Sequence, residues 1–486
     1  MLLTHTAPPS PGPATEAIRR LRKESARSLF LSEPGAPTDQ ADRKTRAKQE
    51  VRSREKRRSG VFQNKICLLT IYLVSFTASK VPLLPQVFND PIHGHMEFHP
   101  LLVKIIDTPQ FQRLRTSNIR QTGFVTKAND FEIFHRVAHL AGEFVRSLKK
   151  NQPELLITDR DILCVEIAGL CHDVGHGPFS HMFDRMFIPK ARPDLKGWKG
   201  KYKGRKENKH FLYEIVANKQ NGIDVDKFDY FARDCHHLGM KNSFDHLRYI
   251  KFARVCDVKE KGLQICARDK ELSNIYDMFH TRSRLHQKAY QHKPSLSSRR
   301  CMITEAFLKA NPILKISDAL DGNGDVVIDK YTKLTDDIFG EILNSPDSGL
   351  DDAKQILNKI ISRKIYKHLG MTKRGTEEQV LKSTAKYHVF LDVLLSGFVF
   401  QISIIDFGKG KNNPLDDMYF YRKSDINNPF RIPTKQVSDF LLPKNFSEEW
   451  IHVYCKDPKN VAVAKKSFRK WCGKNNFLLP PVNNMT

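Results

Sequence analysis

Gly169-Leu-Cys-His-Asp-Val-Gly-His-Gly177 closes an apolar run with an adjacent histidine and aspartate, and a second histidine follows one turn later. Upstream, Thr158-Asp-Arg-Asp161 has the form of a capping box with Asp in place of Glu, and Leu163, Ile167, Leu170 and Val174 recur at helical spacing. The spacing predicts a helix that delivers His172 and Asp173 at its end. Adjacent helical side chains diverge, so an ion shared by both must sit off the helix terminus and collect other ligands there. A second helix is expected from near Asp224, with Asp226, Tyr230 and Asp234 on one stripe and Phe228, Phe231, Ala232 and Cys235 on another. Imidazole nitrogen and carboxylate oxygen suit Mn, Fe, Zn or Mg, and an ion with open positions activates water or polarises a phosphate. His172, Asp173 and Asp226 are therefore candidate metal ligands. Two plainer readings stand beside this one: the His-Asp pair as a helix cap followed by Gly175, and the acidic stripe as a solvent-facing surface.

A chain of 486 residues exceeds one ordinary core and suggests two or three domains. Its formal charge of +26 implies acidic partners, with nucleotides, nucleic acid and anionic membrane all qualifying. Part of that excess lies in residues 1–60, where prolines are followed by basic runs with few aromatics, so this tail is expected to be disordered. Arg43-Lys-Thr-Arg-Ala-Lys48 and Arg52-Ser-Arg-Glu-Lys-Arg-Arg58 read either as a nuclear address or nucleic-acid arm, or as solvated tail. The expected location is the nucleus, with the cytoplasm as a second compartment, and single-stranded nucleic acid is a candidate partner. Ile66–Phe76 is apolar but about half the length a bilayer needs, so no membrane span is expected there. Nine cysteines without a C-x-x-C pair point to a reducing compartment, with Cys256 and Cys266 read as free core thiols.

The expected fold class is mainly α: a helical core, a smaller C-terminal α+β lobe and a disordered basic N-terminus. The expected boundaries are a tail over 1–60, a short apolar segment and linker over 61–86, a catalytic domain over 87–330, a helical extension over 331–388, an α+β lobe over 389–478 and a tail over 479–486. Strands are expected at Val399–Asp406 and Tyr419–Arg422, separated by a turn-rich loop over Gly408–Pro414. Asp321–Asp325 imitates a calcium loop but lacks its glycine and terminal glutamate, and reads as a turn.

Four long motifs, in order, carry a resemblance. They are Val87-Phe-Asn-Asp-Pro-Ile-His-Gly-His95, Ile105-Ile-Asp-Thr-Pro-Gln-Phe-Gln-Arg-Leu-Arg115, Leu170-Cys-His-Asp-Val-Gly-His-Gly-Pro-Phe-Ser-His-Met-Phe-Asp184 and Asn221-Gly-Ile-Asp-Val-Asp-Lys-Phe-Asp-Tyr-Phe-Ala-Arg-Asp-Cys-His-His237. Together they resemble the vertebrate SAM-and-HD-domain dNTP triphosphohydrolases from about Val87 to about Phe477. The resemblance implies a mostly helical HD-domain hydrolase that cleaves a dNTP at the α-phosphate to deoxynucleoside and tripolyphosphate. A role in dNTP catabolism and antiviral defence is implied with it. It assigns metal binding to His172, Asp173 and Asp226, and a place facing the substrate phosphates to His176 and His181. Gln121, Lys227, Tyr230, Asp234, Arg282 and Tyr290 match residues that hold triphosphate and sugar. It further implies a homotetramer assembled by GTP and dNTP activators. Val87, Asp107, Gln112, Arg115, Arg431 and Lys435 match the guanine-nucleotide site, and Asn89, Arg248, Arg268, Lys270, His292 and Lys293 the neighbouring dNTP effector site. For any one of these, ordinary surface charge is the plainer reading.

The chain departs from the family pattern at four places. The family's first metal histidine follows a Phe-Glu pair, but Phe131-Glu132 is followed by Ile133; His135 is the candidate fourth ligand and His139 the next nearest. A shift of two residues on a helix turns a side chain to another face. Asp130 stands where the family has a basic phosphate contact. Lys196-Gly-Trp-Lys-Gly-Lys201 replaces several helices, among them a catalytic histidine in a His-Glu-Gln-Gly segment. No SAM module is expected within residues 1–60. A lost general acid removes roughly 10² to 10⁴ in rate, so impaired turnover, or a silent nucleotide-binding oligomerisation partner, is the alternative expectation.

Overall fold

The computed structural model describes residues 84–116, 135–195, 209–290, 294–321, 326–373 and 397–474, with backbone alone at Arg115, Thr116 and Lys474. It is mainly helical, with three small sheets. The hairpin β1 (Gln86–Asp90) and β2 (Gly94–Phe98) comes first, with Phe88 opposite Met96. Two short helices follow, α1 (Pro100–Ile106) and α2 (Pro109–Gln112), each started by proline where its missing N–H costs nothing. A tight turn over Arg113–Thr116 ends the segment.

Two longer helices frame the site, α3 (His135–Asn151) and α4 (Asp159–Cys171). The expected cap is present: Thr158 Oγ1 accepts from the Asp161 N–H, and the Asp161 carboxylate accepts from the Thr158 N–H at 3.0 Å. Where the helices cross, a Cβ on Gly169 would stand 2.9 Å from Ala138 Cα and from the Val137 carbonyl oxygen, so glycine is what permits this approach. That contact fixes the end of α4 just before His172.

The second site helix is α5 (Val225–His237), capped by Asp224. After it come α6 (His246–Phe252), the antiparallel pair β3 (Arg254–Val258) and β4 (Gly262–Arg268), and α7 (Leu272–Leu285). Helices α8 (Pro294–Leu314), α9 (Ile338–Asn344) and α10 (Asp351–Ile361) complete the helical body. Its apolar side chains fall into two large clusters. Leu170, Cys171 and Val174 pack with Phe187, Phe307 and Leu357 in one, while Val165, Phe228, Phe231 and Phe279 pack in the other. Each fully buried phenylalanine contributes about 1.5–3 kcal/mol. Because α4 feeds the first cluster at its C-terminal end and α5 the second, the two site helices are anchored in different cores and meet at their polar ends.

The C-terminal region differs from the expected layout in two respects. β5 (Lys367–Lys373) falls inside the expected helical extension, and it pairs antiparallel with β9 (Ser447–Cys455), which also pairs with β6 (Phe398–Asp406). Helix α11 (Val461–Lys474) lays Phe468 against Leu369 of that sheet. The lobe is also not separate, for β7 (Phe420–Arg422) runs parallel to β4 with Phe420 opposite Ala267, and β8 (Asp425–Phe430) pairs with β7. Phe407 stacks on Phe279 of α7 at 5.4 Å with the rings 7° apart. The physical reason is that a strand's free edge is satisfied by whichever partner packing brings near, a non-local effect that composition does not disclose. The expected strands at 399–406 and 419–422 correspond to β6 and β7.

The expected tail over 1–60, most of 61–86, residues 479–486 and the shortened segment 196–201 lie outside the described residues. Among the described residues no helix is long and apolar enough to cross a membrane.

Candidate metal and phosphate site

His172 follows the last residue of α4, and its Nδ1 lies 2.6 Å from the Gly169 carbonyl oxygen. A carbonyl can only accept, so Nδ1 carries the hydrogen and Nε2 is left for another partner. That nitrogen stands 3.2 Å from Asp173 Oδ2 and 3.4 Å from Asp226 Oδ1, across the gap between α4 and α5. Ligand atoms about 2.0–2.2 Å from one ion lie about 3 to 3.5 Å apart when adjacent, so the nitrogen-to-oxygen spacings and the donor types fit a small divalent cation. Burial opposes the charged form of His172, but the Asp173 and Asp226 carboxylates outweigh it and hold its pKa well above the ordinary value. A cation there competes with that proton, which makes binding pH-dependent.

His176 is set by its own carboxylate: Nδ1 lies 2.7 Å from Asp184 Oδ2, and Nε2 faces Asp173 Oδ1 at 3.5 Å. His181 stands edge-on to it with ring centroids 4.9 Å apart. Among the described residues the three donors that all lie within 4.8 Å of one another are His176, His181 and Asp184; His172, Asp173 and Asp226 are not gathered that closely, each carboxylate being near His172. In that group the 2.7 Å contact is a hydrogen bond occupying His176 Nδ1, so Asp184 orients an imidazole there. Burial opposes charge on His176 but Asp184 raises its pKa, whereas burial, then Arg185 and His176, push His181 well below the ordinary value. The turn between the two histidines is tight: Phe179 and Ser180 have φ of 55° and 54°. Asp336 supports it, accepting from the Phe179 N–H at 2.7 Å.

On α5 the residues matched to substrate come together. Lys227 Nζ donates to Asp224 at 2.9 and 3.0 Å. Tyr230 OH accepts from Arg282 at 3.3 Å, and Arg282 in turn donates to the Asp406 carbonyl at 2.9 Å. Tyr290 OH donates to the Asp234 carboxylate. Burial opposes charge on Lys227 and Arg282, yet Asp224 on the first and Tyr230 with Asp406 on the second hold both pKa values up. Two cations and two phenols beside a metal site suit an anionic, phosphorylated ligand.

His135 and His139 each lie against neighbouring rings. His135 is buried between Phe88 and Phe98, ring centroids 4.6 and 5.7 Å away, and His139 lies 6.1 Å from His93. Gln121, His292 and Lys293 lie outside the described residues, as does the side chain of Arg115. Val87, Asn89, Asp107, Lys270, Arg431 and Lys435 are exposed. Gln112 donates to the Ile106 carbonyl at 2.5 Å. Arg248 pairs with Glu271 at 2.7 Å, and both Arg248 and Arg268 lie over the Phe252 ring. Arg268 and Lys270 line a shallow basic hollow with Arg422 and Lys423.

Sequence reasoning gave no role to Asp184, Asp224 or Asp406. Asp224 could have been found as an acidic N-cap one turn before Lys227. Asp406 could not, because it arrives from a strand far along the chain. Arg300 was also missed: a guanidinium nitrogen and His286 Nδ1 are both buried without a hydrogen-bond partner.

A family model described as the HD domain matches residues 134–270, which contain His172, Asp173 and Asp226. The chain is similar to deoxynucleoside triphosphate triphosphohydrolase SAMHD1 of Homo sapiens, 46% identical over 475 residues, covering 81% of this chain and 74% of that protein. The Bos taurus protein of the same name is 44% identical, covering 82% and 80%. The SAMHD1 homolog of Dictyostelium discoideum is 32% identical over 454 residues, covering 82% and 84%.

Proposed function

The chain belongs to the family of the SAMHD1 deoxynucleoside triphosphate triphosphohydrolases, and from that premise we propose that it hydrolyses a dNTP to deoxynucleoside and tripolyphosphate at a divalent ion held by His172, Asp173 and Asp226. The observation that carries this is the His172 Nε2 position, 3.2 Å from the Asp173 carboxylate in the turn after α4 and 3.4 Å from the Asp226 carboxylate on α5. When bound, the ion would polarise a phosphate oxygen and acidify a water. The chain's own residues do the rest. Lys227 and Arg282 bring positive charge to the polyphosphate, Tyr230 and Tyr290 with Asp234 border the sugar, and Asp184 keeps His176 turned toward the phosphates.

Activation by GTP at Val87, Asp107, Gln112, Arg115, Arg431 and Lys435, and by dNTP at Asn89, Arg248, Arg268, Lys270, His292 and Lys293, belongs to the same proposal, together with a homotetramer and a nuclear location. Tripolyphosphate release from dGTP or dATP, measured with manganese and GTP present, is expected and should vanish in Asp226→Ala. Turnover that survives this substitution removes the metal assignment.

One observation favours a second reading. His135 packs against Phe88 and Phe98; with His172, Asp173 and Asp226 as the whole donor set, a silent nucleotide-binding oligomerisation partner follows if three do not suffice. That reading predicts GTP-dependent assembly without product; a monomer at saturating nucleotide counts against it. Electrostatic binding of single-stranded nucleic acid by residues 1–60 is a further consequence of the charge, and deleting the tail should weaken it and flatten its salt dependence.

A further inference from the structure

Arg113 has no part in the reading above, yet its side chain joins the guanine-nucleotide segment to the phosphate-facing turn. It directly follows Gln112 at the end of α2 and is 6% exposed. Its guanidinium donates to three backbone carbonyls: Val174 at 2.8 Å, His176 at 2.5 Å and Leu334 at 3.1 Å. Tyr331 lies under it, 4.6 Å from ring centroid to guanidinium carbon, and donates its hydroxyl to the Gly175 carbonyl at 2.8 Å. Three consecutive carbonyls, those of Val174, Gly175 and His176, are therefore held by side chains from other segments. A turn of this kind has no ladder of its own to fix it, and rotating any of these peptides away would leave a buried guanidinium short of acceptors. One terminal nitrogen of the planar fork reaches the Leu334 carbonyl and the other those of Val174 and His176, a fixed spread that the single nitrogen of a lysine ammonium does not match.

We propose that Arg113 is a positioning residue. It fixes the 174–176 backbone, and so the place of His176, and it makes this placement answer to whatever orders the adjoining Asp107–Gln112 segment. The regulatory half rests on the assignment of Asp107 and Gln112 to a guanine-nucleotide site; the positioning half does not. Coupling of this kind is reciprocal, so a ligand at either end must order the other.

The test uses the full chain with manganese present, and reads amide hydrogen exchange by mass spectrometry while tripolyphosphate or GTP is added separately. In the wild type, tripolyphosphate should slow exchange across residues 105–116, and GTP should slow it across 172–182. Arg113→Lys should lose both remote effects and bind tripolyphosphate about tenfold more weakly, with manganese affinity unchanged because His172, Asp173 and Asp226 are untouched. Tyr331→Phe, which removes only the Gly175 bond, should lose part of the remote protection and covers the case in which Arg113→Lys fails to fold. Remote protection in Arg113→Lys equal to wild type overturns the proposal. So does a wild-type chain that binds both ligands with no remote protection. GTP that fails to bind the wild type removes the effector assignment instead, and the tripolyphosphate arm then decides the positioning claim by itself.

Discussion

Replacing Arg233 with methionine tests whether α5, which carries Asp226, Lys227, Tyr230 and Asp234, is held in place by buried charge. The Arg233 side chain is 3% exposed and lies between two carboxylates, Asp229 at 2.6 Å and Asp90 at 3.2 Å. Asp90 also takes Arg136 at 2.6 Å and Asp229 takes His93 at 2.8 Å, so each carboxylate keeps one partner in the variant. Removing one member of a buried pair costs about 3–5 kcal/mol, and the surviving partners place this case at the lower end, about 3 kcal/mol. At about 2–4 °C per kcal/mol for a domain of this size, the melting temperature should fall by about 6–12 °C.

The acid limb should move as well. Burial opposes ionisation of both carboxyls, but His93 and Arg233 hold Asp229 well below the usual range, and Arg233, the His93 backbone and Arg136 lower Asp90. A depressed carboxyl contributes stability that is complete above its unfolded value of about 3.9 and is lost as pH falls through the folded value. Without Arg233 the folded values rise toward 3.9, so the contribution at neutral pH shrinks and acid unfolding begins at higher pH. Circular-dichroism melts of the full chain from pH 7 downward measure both effects. A fall of under about 2 °C at pH 7 together with an unmoved acid midpoint would refute the reasoning, because it would mean packing alone seats the helix.

Gly177→Ala places a Cβ 2.2 Å from the Phe183 ring, which is buried and cannot swing aside. A loss of about 1–3 kcal/mol and reduced tripolyphosphate release are expected, and unchanged release would show that the His176–His181 turn tolerates displacement. Thr158→Ala removes the cap of α4 and should cost about 1 kcal/mol with turnover per folded molecule unchanged, since Asp161 keeps its 2.7 Å contact to Lys209. Burial, then Arg282, push the His286 pKa down to about 3. The unfolded chain therefore takes up a proton that the folded one refuses, and stability should fall as pH drops below about 6.5. His286→Gln should make that fall shallower in urea titrations at pH 7, 6 and 5, and parallel curves would contradict it.

The parts of this site legible in the sequence are those fixed by local rules. The capping box at Thr158, the helical recurrence into Leu170 and the His172-Asp173 pair at the end of α4 all follow from spacing, and the α5 stripe of Asp226, Tyr230 and Asp234 follows from the same periodicity. What could not be read was non-local. Arg113 reaches carbonyls 61 and 63 residues away, and Asp406 meets Arg282 across 124 residues, with nothing in either neighbourhood to announce the pairing. β5 is not legible because Lys367, Gly370 and Lys373 carry little strand propensity, and its place is set by pairing with β9. His135 shows the same limit: its place near an expected ligand position is legible from spacing, while its packing against Phe88 and Phe98 comes from a distant hairpin.

Helix α5 explains why the site is polar on so many sides without being unstable. Phe228, Phe231 and Cys235 face one core, the stripe of Asp226 and Tyr230 faces His172 and Arg282, and Asp229 with Arg233 faces the β1–β2 hairpin through Asp90 and His93. A helix built only to be stable would replace the last face with apolar side chains, since a buried ion pair is seldom better than well-packed hydrophobes. What the ion network adds is direction, because a guanidinium fork between two carboxylates accepts few orientations whereas phenylalanine against leucine accepts many. The hairpin so attached bears Val87 and Asn89 on its exposed positions. Any ligand that shifts the hairpin therefore pulls on the helix that holds Asp226, and the strength of that pull is set by Arg233 and Asp90 rather than by the apolar core.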